Sequence, residues 1–191
     1  LFMQGFSEHA DNVVLAGGMA GDNGQFHSAY VISGSKVYHQ QAVAVMMKGD
    51  QLRVNNGYSF DWLPIGPSFT VTRSIDSRVY TLDGKPILDV YRDYLGDSVA
   101  DTLCSVGVAF PIVFEKEGKL IGRAPLVEFE DGALGFGGSI PQGSKVQFGI
   151  GNANLILEAS RETFNLCMTQ SPESIFVYSC MARRRFLGDS I

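Results

Sequence analysis

Glycine constrains this chain more than any other residue. It occupies 22 positions, and it falls between short runs of Val, Ile, Phe and Tyr instead of clustering. Runs of β-branched and aromatic residues closed by glycine predict short strands joined by turns. Val13 to Ala16 reads as a buried strand that enters a glycine-rich turn, Gly17 to Gly24. A hairpin follows, with Ser28 to Ile32, a tight turn at Ser33 to Ser35, and a long strand from Lys36 to Met47 that leaves room for a bulge or an interruption. Leu52 to Tyr58, Phe69 to Ser74 and Arg78 to Leu82 continue the series. Strands resume at Phe110 to Glu115, Lys119 to Phe129, Leu134 to Gly137 and Lys145 to Gly149, and a last buried one runs from Ser174 to Ser179.

Helices interrupt this pattern at two places. Pro86 opens one that runs to Leu95, because its missing N–H has no intrahelical partner in a first turn. Ile87, Tyr91, Tyr94 and Leu95 recur at helical spacing, and Gly96 stands where a C-terminal cap belongs. Asp97 to Gly107 is ambiguous with helical character. A second helix spans Asn154 to Met168, with Asn152 or Asn154 accepting from its first N–H groups and Ile156, Phe164 and Cys167 on one face. Leu1 to His9 reads as the end of another helix. The sum is an α+β (mixed α/β) fold, in which largely antiparallel or mixed sheets are flanked by a few helices. Two subdomains are expected, 1–95 and 96–191, with the Pro86 to Leu95 helix at their boundary.

Charge and composition exclude whole classes of function. A 45% hydrophobic content with 13 Phe supplies a core, which removes disorder from consideration. The formal charge of −5, with Arg183, Arg184 and Arg185 as the one basic block, offers no face broad enough to displace counterions from a duplex. No apolar run approaches the roughly 20 residues of a membrane helix, and Leu1 to Ala10 lacks the basic start of a signal peptide. Cys104, Cys167 and Cys180 are odd in number and form no CxxC pair, which favours a reducing, cytoplasmic setting. The chain begins without Met and stops at Ile191, so it reads as a piece of something longer.

Four stretches together resemble the FIST family (F-box and intracellular signal transduction proteins). They are Gly17-Gly18-Met19-Ala20-Gly21-Asp22; Gly57-Tyr58-Ser59 with Trp62, Pro64 and Gly66; Val79 to Pro86 leading to Tyr91-Arg92-Asp93-Tyr94-Leu95-Gly96; and Ser179-Cys180-Met181-Ala182-Arg183. Their order and spacing run along nearly the whole chain. Residues to about Leu95 resemble the family's N-terminal part and the remainder the beginning of its C-terminal part. The resemblance implies a non-enzymatic sensory domain that binds a small ligand, with amino acids proposed. It also implies a signalling output partner such as a histidine kinase, a diguanylate cyclase or a chemoreceptor. Some members are reported to bind haem and sense nitric oxide. Many carry a His just before the Trp of the second stretch, whereas this chain has Phe60-Asp61-Trp62.

Candidate ligand contacts follow from these stretches. Gly17, Gly18, Gly21 and Asp22 come after a strand, as phosphate loops do, but match neither GxGxxG nor GxxxxGK[ST]. They read either as a turn needing positive φ or as a ligand loop in which Asp22 holds an ammonium group or caps a helix. Arg183 and Arg184 offer guanidinium forks to a carboxylate. On a continuing strand they would point to opposite faces. A pocket shared by the loop and the arginines is expected, with Ser179 and Cys180 beside it and Tyr58 and Trp62 as an aromatic wall. Arg53 reads as an exposed strand residue.

No cofactor is expected. His9, His27 and His39 are dispersed without metal-ligand spacing. A haem needs one axial His and an apolar pocket, so a haem-binding nitric-oxide sensor is the first alternative, with His27 and His39 as ligands. A hydrolase using Cys180 is the second, although no base signature surrounds that thiol and a buried structural role is the plainer reading.

Overall fold

The longest strand forms where glycine and proline argue most against one. In the computed structural model, which describes residues 13–22, 28–116 and 118–188, strand β3 runs unbroken over Trp62–Ile75 despite Pro64, Gly66 and Pro67. Ile65 pairs with Phe148 and Phe69 with Val146, so Gly66, Pro67 and Ser68 together oppose Gln147 alone. Such a bulge is where a strand tolerates Pro and Gly. Gly66 supplies the left-handed turn at φ 72°, and Gln147 Nε2 donates to the freed Gly66 carbonyl at 2.9 Å.

The described chain divides into two compact units. One comprises Tyr58–Leu166 with Ala182–Ile191 and contains β3, β4 (Arg78–Leu82), β5 (Lys85–Pro86), β6 (Ile112–Lys116), β7 (Lys119–Arg123), β8 (Pro125–Glu128), β9 (Leu134–Phe136) and β10 (Lys145–Gly151). The strands are ordered β7-β6-β10-β3-β4-β9-β8, all pairs antiparallel, with β5 paired to β4. The two ends of that order are joined through the single residue Ala124, because β7 stops at Arg123 and β8 starts at Pro125. The sheet is therefore a nearly closed barrel, and closure leaves few unpaired edge groups to attract another strand. Two-residue turns set the registers. At Asp83-Gly84 both φ values are positive, 48° and 81°, the geometry that matches strand twist in a hairpin.

Strand alternation sorts the side chains into two cores. Ile112, Phe114, Val146, Phe148, Phe69, Val71, Leu134 and Phe136 fill one cluster. Helix α1 (Ile87–Leu95) adds Ile87, Val90 and Tyr91 to it. Tyr91 is fully buried, stands edge-on to Phe148 at 4.8 Å and donates from its hydroxyl to the Phe110 carbonyl at 3.2 Å. Pro86 precedes this helix instead of opening it, and Gly96 ends it at φ 85° with its N–H on the Arg92 carbonyl. The ambiguous stretch after it holds two single-turn helices, α2 (Asp97–Ala100) and α3 (Leu103–Val106). Val113, between two residues of the first cluster, faces the other way. With Trp62, Ile156 and Leu187 it forms a second cluster. Ile156 belongs to α4 (Ala153–Met168), whose Leu155 N–H is capped by Asn152 Oδ1 at 3.2 Å, and Leu187 to α5 (Met181–Leu187). Of the three residues expected on one face of α4, Ile156 is buried whereas Phe164 is half exposed.

The other unit, Leu1–Gly57 with Cys167–Met181, holds one hairpin among its described residues. Strands β1 (Tyr30–Ser33) and β2 (Lys36–His39) pair around Gly34 at φ 59°. The long strand expected to reach Met47 ends at His39, where Gln40 turns to φ 54°. Val13 to Ala16, Leu52 to Tyr58 and Ser174 to Ser179 are irregular and not buried strands; Val177 is 79% exposed. Their residue types favour an extended chain, but a strand exists only against a partner ladder. None of the three has one among the described residues. The helix end expected at Leu1 to His9, together with His9 and His27, lies outside the described residues.

Candidate functional site

The basic trio lies on a helix and not at a strand end, which changes where each arginine points. Successive residues on a helix rotate by about 100°, so Arg183 shares a face with Leu187 four positions on, and Leu187 is buried. Arg184 and Arg185 are exposed. Arg183 turns inward onto the segment that leads into β3. Its Nη2 donates to Asp61 Oδ2 at 3.0 Å, to Ser59 Oγ at 3.1 Å and to the Ile156 carbonyl at 3.0 Å. The Ser59 hydroxyl donates in turn to the same Asp61 oxygen. The side chains of Arg183 and Asp61 are 22% and 18% exposed, so the ion pair is largely withdrawn from water. Arg183 Nε is buried with no acceptor among the described residues.

Trp62 is 6% exposed, and its indole Nε1 is likewise buried with no acceptor among the described residues. Its ring stacks on Phe60 at 5.3 Å and meets Phe186 at 5.8 Å. Two glycines make room for those partners. A Cβ on Gly122 would lie 2.0 Å from the Phe60 ring, and one on Gly151 would lie 2.5 Å from the Phe186 ring. The expected aromatic wall at Trp62 is thus packed core, with one polar edge left unpaired. Tyr58 is exposed, and Lys119 Nζ sits 5.2 Å from its ring centroid, a cation–π arrangement. Asp61 and Ser59 were not among the expected contacts. An acid between Phe60 and Trp62 is the signal that marks Asp61, since a carboxylate flanked by core aromatics requires a partner.

In the other unit, Gly17, Gly18 and Gly21 do not take positive φ, and Gly17 and Gly21 face open space, so a turn needing glycine does not explain them. Gly18 runs against Tyr178, whose Cβ and Cδ1 lie 3.7 Å from where its own Cβ would be. That brings the loop alongside the stretch containing Ser179 and Cys180. Asp22 Oδ2 accepts the Ser28 N–H at 3.1 Å. Cys180 is exposed, against the buried structural role expected of it. Arg53 is exposed as expected. His39 lies 5.3 Å from Tyr30, ring to ring, on the hairpin. Among the described residues no group of three or more His, Cys, Asp or Glu side chains is placed to hold a metal, and no helix is long and apolar enough to cross a membrane.

Two family models cover the chain. The FIST N domain matches residues 1–85 and the FIST C domain residues 88–191. No curated protein and no solved structure matches it.

Proposed function

The chain belongs to the FIST family of sensory domains in signal-transduction proteins, and from that premise we propose that it senses a small carboxylate-bearing metabolite, an amino acid foremost, through Arg183 and Trp62. The observation that carries this reading is the pair of buried N–H donors, Arg183 Nε and Trp62 Nε1. Both border Ile156, one through its carbonyl and the other through its side-chain cluster. Burying a donor without an acceptor costs about 1–3 kcal/mol, and a carboxylate is the acceptor that recovers most of it. Asp61, 3.0 Å from the same guanidinium, is the natural partner for an α-ammonium group.

Sensing then takes a definite form. A zwitterion that takes Asp61 with its ammonium and Arg183 with its carboxylate replaces the direct pair between them, and the helix bearing Arg183 exchanges one anchor for another. A ligand shifts such an equilibrium only by binding one arrangement more tightly than the other. Binding, not turnover, is the function proposed. The readout passes to an output module such as a histidine kinase, a diguanylate cyclase or a chemoreceptor, in the cytoplasm.

Trp62 is the chain's one tryptophan, so binding is read directly by its fluorescence. Titration with a panel of amino acids and carboxylic acids should give a saturable change for at least one. Arg183→Ala should weaken that response at least about tenfold, as expected for loss of a charged hydrogen bond. Trp62→Phe, which keeps an aromatic ring but removes the N–H, should weaken it as well when binding is followed calorimetrically. Equal affinity in wild type, Arg183→Ala and Trp62→Phe would overturn the assignment.

A further inference from the structure

A second arginine lies where neither the family resemblance nor the Arg183 site accounts for it. Arg123 is the last residue of β7, at the joint that closes the barrel. It pairs with Ile112, as Ile121 pairs with Phe114. Directly opposed residues of an antiparallel pair project to the same face, and Ile112 and Phe114 both belong to the interior cluster. Arg123 therefore leaves the backbone on the apolar side of the barrel wall, and its side chain is only partly exposed.

The guanidinium is held in a fixed pose. Its Nη1 donates to the Gly122 carbonyl at 3.2 Å. One face packs on Gly138, where a Cβ would lie 2.5 Å from Nε, 3.0 Å from Cζ and 3.1 Å from Cδ. Three such similar distances place Gly138 over the plane of the group. Nε, on the edge of that plane, is buried with no acceptor among the described residues. Burial holds the pKa below the usual guanidinium value. The group nonetheless stays charged, because arginine does not lose its proton in proteins.

The geometry points to an oxyanion-binding site at the barrel seam, in which the Nε–Nη2 edge of Arg123 grips two oxygens of a carboxylate or phosphate group. With Nη1 committed to Gly122, that edge is the fork that remains, and bidentate capture of a carboxylate or phosphate is what such a fork does best. Gly138 is the specificity element, since any side chain there would displace the guanidinium. The site is independent of Arg183, and a ligand at one does not require a ligand at the other.

The test follows the Arg123 Nε–H signal by NMR in the intact chain, assigned by its loss in Arg123→Lys. Acetate and inorganic phosphate are titrated separately, with chloride at matched ionic strength as the control. One of the two oxyanions should move the signal saturably, and which one does identifies the source of the anion. The response should persist in Arg183→Ala, so failure of the Arg183 reading would leave it intact. Gly138→Ala keeps the charge but tilts the fork, and should weaken the response by about tenfold or more, the scale of a lost charge-assisted bond. A signal unmoved by both oxyanions, or moved equally by chloride, would overturn the site. So would an undiminished response in a folded Gly138→Ala protein.

Discussion

Replacing Asp61 with Ala should destabilise the protein more than any surface ion pair would. Breaking a fully buried pair at one partner costs about 3–5 kcal/mol, because the remaining charge is stranded. An exposed pair is worth about 0–1 kcal/mol. Arg183 and Asp61 are 22% and 18% exposed, nearer the buried limit, and Arg183 Nη2 keeps Ser59 Oγ and the Ile156 carbonyl after the change. Those two bonds soften the loss, which leaves about 2–3 kcal/mol. For a chain of this length each kcal/mol moves the midpoint by about 2–4 °C, so a fall of about 4–12 °C is expected in a thermal melt followed by circular dichroism. The decisive form is a double-mutant cycle with Arg183→Met. The two changes should couple by more than about 1 kcal/mol, since residues in one hydrogen-bond network are not additive. An Asp61→Ala melt within 1 °C of wild type, or additive single changes, would show that the pair contributes nothing and that the anchor for α5 lies elsewhere.

Three further outcomes follow from the same structure. Gly122→Ala should cost about 1–3 kcal/mol by overpacking, because its methyl group would enter the Phe60 ring, whereas Gly17→Ala, facing open space, should be nearly neutral in a denaturant titration. Burial raises the pKa of Tyr91 above the ordinary phenol value; its stabilising contribution is complete below about pH 10, where the unfolded phenol titrates, and falls as the pH rises further, and a Tyr91→Phe protein should lose that part of the alkaline decline. The purified protein should show no Soret band, since the residue before Asp61-Trp62 is Phe60 and not an imidazole, and His39 lies ring to ring with Tyr30; stoichiometric iron abolished by His39→Ala or His27→Ala would refute this.

The unit that holds the barrel was legible in part because several of its strands and helices carry their own signals. Arg78 to Leu82 was read to the residue, and the helix ending at Leu95 was legible from the Gly96 cap and the spacing of its apolar residues. Trp62 to Ser68 was not read as strand, because two prolines and a glycine count against a strand locally. The bulge that accommodates them depends on Gln147, 81 residues from Gly66 in the chain. The unit of the β1–β2 hairpin shows the opposite failure. Val13 to Ala16 and Ser174 to Ser179 have strand composition, yet composition cannot supply the neighbouring ladder that turns an extended segment into a strand.

The candidate site divides along the same physical line. That an arginine of the basic trio needs an anionic partner was readable from chemistry, since a fork beside core residues needs an anion, and in the structure that partner is Asp61. Which arginine was not, because the answer turns on whether the trio is strand or helix. A strand sends Arg183 and Arg184 to opposite faces, whereas a helix aligns Arg183 with Leu187, and the burial of Leu187 then selects Arg183. Leu187 was thus the missing term, a lone apolar residue four positions beyond the charge. The same logic applies to Asp61. Its place between Phe60 and Trp62 shows that it needs a partner, and that partner is identified only when Arg183, 122 residues later in the chain, is folded back onto it. Local sequence can announce that a charge has need of a partner; naming the partner takes the fold.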